Sequence, residues 1–214
     1  MADHSSALAH QFDDSEQQFE ASSLGMWVFL LTEVMFFGGL FVGYIVYRTA
    51  YPEAWALASN TLDVVLGGLN TAVLIGSSLT MALAVHSAQA GNRKLLVLFL
   101  VLTIVFGGVF LGVKVVEYSH KFHEHHVPGP SFQFEGDHAR NAQLFFSFYF
   151  AMTGMHALHM IIGIGILFVL VYRAAIGRFT TEYFTPVEMF GLYWHFVDII
   201  WIFLYPLLYL VGRH

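Results

Sequence analysis

Glu33 stands inside an apolar segment, Leu30-Leu31-Thr32-Glu33-Val34-Met35-Phe36-Phe37. An ionised carboxylate at the centre of a bilayer costs at least ~2.5–3.5 kcal/mol unless it pairs, takes up a proton or faces water. A residue kept at that cost is a candidate proton-handling or lipid-contacting acid. The simpler alternative is a neutral carboxyl hydrogen-bonded to a neighbouring helix. Three further pairs repeat a spacing of three, which puts both members on one helix face. Lys114 and Glu117 suit an interfacial ion pair better than a relay. His156 and His159, with His195 as a third candidate, carry nitrogens that could bind a metal or a haem. Two histidines so close on one helix cannot ligate opposite faces of one haem, however, and a helical metal site usually wants carboxylates or thiolates nearby. Hydrogen-bonding imidazoles are therefore preferred, and no catalytic, cofactor-binding or metal-ligating residue is assigned. His195 and Asp198, within Tyr193-Trp194-His195-Phe196-Val197-Asp198, can neutralise each other in a low dielectric. The histidines from His120 to His126 lie beside Lys121 and Glu124 and read as a solvated tract with no assigned role.

The elements that must position these residues are hydrophobic helices. Of the 214 residues, 57% are hydrophobic and 11% charged, whereas an ordinary soluble domain carries about 25% charged residues. Cysteine is absent, which removes disulfides, thiolate metal sites, iron–sulfur clusters and cysteine nucleophiles. The net charge of -6 comes without a basic cluster, which argues against nucleic acid as a partner.

Five apolar runs predict an all-α integral membrane bundle of five transmembrane helices, at about 24–47, 64–88, 95–117, 143–173 and 188–211. The first run, at about 24 residues, spans roughly 36 Å and crosses a ~30 Å hydrocarbon core with some tilt. Residues 1–23 carry Asp3, Asp13, Asp14, Glu16 and Glu20 without Lys or Arg; they read as an acidic solvated tail, unlike the basic start of a signal peptide. Ala90-Gly91-Asn92-Arg93 predicts a tight turn joining the second and third spans as an antiparallel pair. The His-, Pro- and Gly-rich stretch 118–141 predicts the longest exposed loop. Arg93, Lys94, Arg173 and Arg178 fall on one side of the membrane, and Arg48, Lys121, Arg140 and Arg213 on the other. The short turn at Arg93 and Lys94 favours placing that side, and the N-terminus, inside.

These motifs converge on one family. The segment Gly25-Met26-Trp27-Val28-Phe29-Leu30-Leu31-Thr32-Glu33-Val34-Met35-Phe36-Phe37-Gly38-Gly39 resembles the helix of cytochrome oxidase subunit III that carries its buried glutamate. Four more blocks agree in order: Leu69-Asn70-Thr71-Ala72-Val73-Leu74, Gly91-Asn92-Arg93-Lys94, Glu117-Tyr118, and Thr153-Gly154-Met155-His156 with His159 and Gly163. A last and most specific block is Tyr193-Trp194-His195-Phe196-Val197-Asp198 with Trp201.

The resemblance, which covers nearly everything from Ser23 onward, implies a non-catalytic subunit of a complex that reduces oxygen to water and pumps protons. Haem and copper would sit in partner subunits, and this chain would hold structural phospholipids and support proton uptake and complex stability. The implied partners are subunit I as main contact, subunit II, a small subunit IV and a respiratory supercomplex. Glu33 matches the family's carbodiimide-reactive carboxylate. The resemblance also implies a bacterial cytoplasmic membrane, with the N-terminus cytoplasmic and the C-terminus periplasmic or extracellular. The longer family form has two more N-terminal helices bracketing a lipid-filled cleft; here the acidic tail stands in their place. Subunit III of quinol oxidases shares the five-helix pattern, and Glu33 with Met35-Phe36-Phe37 favours the cytochrome c branch. A stand-alone membrane haem protein and a small proton-coupled transporter are the less favoured readings.

Overall fold

A computed structural model describes residues 9–134 and 138–212, so Asp3 and Arg213 lie outside the described residues. Its regular elements are six α-helices: α1 (Ser15–Ala50), α2 (Pro52–Asn60), α3 (Val64–Gln89), α4 (Arg93–His123), α5 (Ala139–Ala175) and α6 (Thr185–Tyr209). All but α2 are long and apolar enough to cross a membrane, in agreement with the five-span bundle.

Local chemistry accounts for most of the boundaries. The Asp14 carboxylate accepts the Gln17 amide at 2.8 Å, and nothing between Ser15 and Leu24 breaks a helix. Capping a first-turn amide in this way starts α1 nine residues before the expected Leu24. Asp63 Oδ1 accepts the amides of Val65 and Leu66 at the start of α3. Asn92 Oδ1 accepts that of Leu95 at the start of α4. Between α3 and α4, Gly91 takes φ +70°, a conformation open to glycine at no steric cost, so the two helices fold back against each other. α4 continues to His123 and α5 begins at Ala139, which trims the expected 118–141 loop from both sides.

α2 is the element that the linear reading lacks, because a proline and several polar residues disguise it. Pro52 starts the helix, where its missing N–H is harmless, and Ala54, Trp55 and Ala58 form a buried face. α2 lies across one end of the bundle, mainly against α5. There Ser59 Oγ donates to the Leu208 carbonyl at 2.7 Å, and Tyr44 of α1 donates to the Leu207 carbonyl at 2.5 Å. Both carbonyls belong to the last turn of α6, which has no intrahelical donor for them.

α3, α4, α5 and α6 pack in a closed ring, each touching the next, and α1 lies outside it along α5 and α6. Lipid tails give little hydrophobic drive for helices to associate, so close packing has to supply it. The Trp194 indole of α6 shows how. It wedges between Gly107 of α4 and Gly163 of α5, where an added Cβ would come within 3.2 Å and 2.8 Å of the ring. Its Nε1 donates to Ser77 Oγ of α3 at 3.0 Å. One side chain thus ties α6 to all three other helices of the ring. Leu31, Val34, Met35 and Val42 of α1 and Leu98, Val105 and Val109 of α4 point outward, as a lipid-facing surface requires.

Candidate functional site

Glu33 lies near the midpoint of α1, and its carboxylate oxygen sits 3.1 Å from Nε2 of His159 on α5. Both side chains are largely buried, at 19% and 13% exposure. His159 Nδ1 lies 2.8 Å from the Met155 carbonyl. A carbonyl only accepts, so Nδ1 carries a hydrogen and donates it. In a neutral imidazole Nε2 is then an acceptor, and the carboxyl must supply the proton between them; otherwise the ring is protonated and the carboxylate ionised. Either way, one hydrogen bond joins Glu33 to His159. The His159 ring packs against Phe37, and Tyr193 donates to the His159 carbonyl at 2.9 Å. α1, α5 and α6 therefore all fix this pair.

Lys114 and Glu117 meet at 3.0 Å, with 2–3% of each residue exposed. The pair is buried between helices, at the end of the bundle where α6 finishes with Tyr209. Lys114 Nζ donates to Glu117 Oε2, to the Tyr149 hydroxyl at 3.1 Å and to the Tyr209 hydroxyl at 3.0 Å. Those two hydroxyls in turn donate to Glu117 Oε1, at 2.7 and 2.5 Å. All three ammonium hydrogens are used. The rings of Tyr118, Tyr149, Trp201 and Tyr209 stand 5.0–5.7 Å from the ammonium, adding cation–π attraction. A buried ion pair survives only with such complete satisfaction.

The remaining candidates separate. His156 is fully buried, with neither nitrogen hydrogen-bonded, and its ring packs at 5.2 Å against both Phe110 and Trp201. His195 does not bond Asp198; its Nδ1 lies 2.7 Å from Ser78 Oγ on α3. Asp198 is 3% exposed, and neither oxygen has a hydrogen-bond partner. The three-residue spacing does put both on one face, but α3 places a nearer hydroxyl beside the imidazole. The three intramembrane histidines have separate surroundings: His156 faces aromatic rings, His159 is engaged at both nitrogens and His195 opens onto the outer face between α3 and α6. Among the described residues, no three of His, Asp and Glu come together so as to hold a metal ion.

Outside the spans, His126 stacks on Phe146 at 4.9 Å, and Glu124 lies 2.6 Å from Lys121 and 3.2 Å from His126. Partial burial, then the Lys121 charge, lowers the His126 pKa from its ordinary value. Burial works to raise that of Glu124, but the hydrogen bond and charge of Lys121, with His126, outweigh it and hold it below the usual carboxylate value. Sequence reasoning missed the hydroxyl partners Ser78, Tyr149, Tyr193 and Tyr209. The clustering of Tyr205 and Tyr209 at the end of an apolar run was the available signal, since a buried Tyr hydroxyl needs a partner.

These features define a multi-pass membrane bundle whose polar groups are mostly spent on holding its helices together. A family model described as cytochrome c oxidase subunit III matches residues 12–213. The chain is 34% identical over 196 residues to a cytochrome c oxidase subunit 3 of Papio hamadryas, covering 88% of this chain and 69% of that one. It is 30% identical over 210 residues to a cytochrome c oxidase subunit 3 of Thermostichus vulcanus, covering 98% and 96%. A probable quinol oxidase subunit 3 of Staphylococcus saprophyticus is 26% identical over 204 residues, covering 95% and 96%. The chain belongs to the cytochrome c oxidase subunit III family, the subunit III chains of haem-copper oxidases.

Proposed function

We propose that this chain is the non-redox membrane subunit of a proton-pumping cytochrome c oxidase, and that it prolongs the working life of that complex rather than lowering any chemical barrier. Haem and copper belong to its partners, with subunit I as the main contact and subunit II and a small subunit IV alongside. The Glu33–His159 pair carries this reading. It joins an acid and an imidazole by a hydrogen bond between two spans, and such a pair suits a group that steadies proton uptake, since pairing offsets the cost of an acid in hydrocarbon. The exposed apolar side of α1, with Trp27, Leu31 and Met35, suits bound phospholipid.

The chain lies in a bacterial cytoplasmic membrane, as a member of a respiratory supercomplex, with its N-terminus in the cytoplasm. Arg93 and Lys94 in the short turn after α3 support that orientation. Purification from native membranes in mild detergent, with mass spectrometry of co-purifying chains and a visible spectrum, tests the proposal. Haem-copper subunits should co-purify, the haem should stay with them when this chain is stripped, and the complex should oxidise cytochrome c. Recovery of this chain alone, or haem that leaves with it, would refute the proposal. Oxidation of a quinol instead of cytochrome c would move the chain to the quinol oxidase branch.

A further inference from the structure

Between α3 and α6 runs an outward-facing groove of about 390 Å³ whose lining is apolar except for Ser78, His195 and Asp198. On the α3 side, Leu74, Ser78 and Ala82 recur every four residues, so small side chains line its middle and one end. Small residues at this spacing let a second helix approach closely. On the α6 side, Asp198 forms part of the floor, with both carboxylate oxygens unbonded. The half-buried His195 spends Nδ1 on Ser78 and leaves Nε2 without a hydrogen bond.

Asp198 is thirteen residues from Thr185 and eleven from Tyr209, which puts it roughly 16–20 Å from either end of the helix. Water and lipid headgroups lie at those ends, and acyl chains offer no hydrogen-bond donor. Only another transmembrane segment can deliver a polar side chain to that depth. A buried carboxylate and an open imidazole left unmatched in hydrocarbon are unfavourable. Their presence beside a small-residue stripe is consistent with a groove completed from outside.

We infer that the α3/α6 groove is the seat of one transmembrane helix of a partner subunit, which lies along Leu74, Ser78 and Ala82 and brings a hydrogen-bonding side chain to His195 and Asp198. This rests on the reading of the chain as a subunit of an oxidase complex. It adds which face docks and what chemistry the partner helix carries.

A photo-crosslinking residue placed at Leu79 or Ile202, both exposed on the groove rim, tests this in the complex purified from native membranes. The expected product joins this chain to one other subunit, and mass spectrometry should place the link on an apolar segment with a polar residue near its middle. Ala82→Leu fills the groove from an exposed position. It should lower the haem recovered per chain at least tenfold while leaving the melting temperature of the isolated chain unchanged. Crosslinks only to lipid or to a second copy of this chain, in a complex that otherwise co-purifies with its haem, would overturn the groove assignment and leave the subunit reading intact. Normal haem recovery with Ala82→Leu would do the same. If no haem-copper subunit co-purifies even with the unaltered chain, the subunit reading fails and the groove assignment falls with it.

Discussion

Glu33 on α1 and His159 on α5, 126 positions apart in the chain, meet at 3.1 Å in a hydrogen bond between helices. This contact joins the outlying helix to the four-helix ring through polar chemistry as well as packing. Glu33→Leu should remove it at a cost of about 0.6–1.7 kcal/mol, the range found for hydrogen bonds between membrane helices. Glu33→Gln can still donate to Nε2 and should lose less. In the assembled oxidase the initial turnover rate should be unchanged for both, and the progress curve should decay several-fold sooner for Glu33→Leu. An oxygen electrode reads both quantities, and a lower initial rate with normal persistence would contradict the supporting role.

The Lys114–Glu117 network calls for a double-mutant cycle. Lys114→Met or Glu117→Leu alone leaves a buried charge without its partner and should destabilise the chain by about 3–5 kcal/mol. The double variant replaces the pair with apolar volume and should recover most of that loss. Unfolding of the isolated chain in detergent gives the three values, and additive losses would mean that the residues do not act as a pair.

Packing around Trp194 gives a comparison of two glycines two residues apart. Gly163→Ala would bring a methyl group within 2.8 Å of the indole and should destabilise the bundle by about 1–3 kcal/mol, as overpacked cores do. At Gly165, where nothing lies within 4 Å, the same substitution should have no such effect. Thermal unfolding of the two variants side by side decides it.

The loop after α4 should loosen in mild acid. The His126 pKa is below its ordinary 6.5 in the fold, so the unfolded loop takes up a proton first as the pH falls, and protonation works against the folded form. The stabilising neutral state is complete above pH 6.5 and is lost progressively below it. Glu124, lowered from 4.5, adds stability that is lost only at still lower pH. Hydrogen-exchange protection of residues 124–134 across this range is the measurement. Protection should fall from about pH 6.5 downward in the native chain, and His126→Phe should remove the upper part of that fall.

The spans were legible because each is a long apolar run, and Glu33 stood out because a carboxylate is conspicuous in one. Partners were not legible in the same way. The three-residue spacing correctly placed Lys114 beside Glu117, since both belong to one helix. It did not reveal that His159 would meet Glu33, that Ser78 would take up the His195 imidazole, or that Tyr149 and Tyr209 would complete the ammonium's bonds. Those contacts depend on which helices are neighbours, and a hydroxyl in an apolar run leaves little trace in composition. α2 escaped for a related reason, because its buried face is only Ala54, Trp55 and Ala58 beside a proline.

Tyr209 reaches Lys114 across 95 positions of chain, which bears on how the protein is made. When α4 enters the membrane, its ammonium has only Glu117 of its own helix. Tyr149 arrives with α5, and the third bond waits for the final turn of α6, the turn whose carbonyls Tyr44 and Ser59 already stand ready to receive. α6 therefore supplies the last of the three hydrogen bonds to a charge that entered with α4. Until α6 is in place that centre is one hydrogen bond short, so docking of the helix and satisfaction of the ammonium are one event.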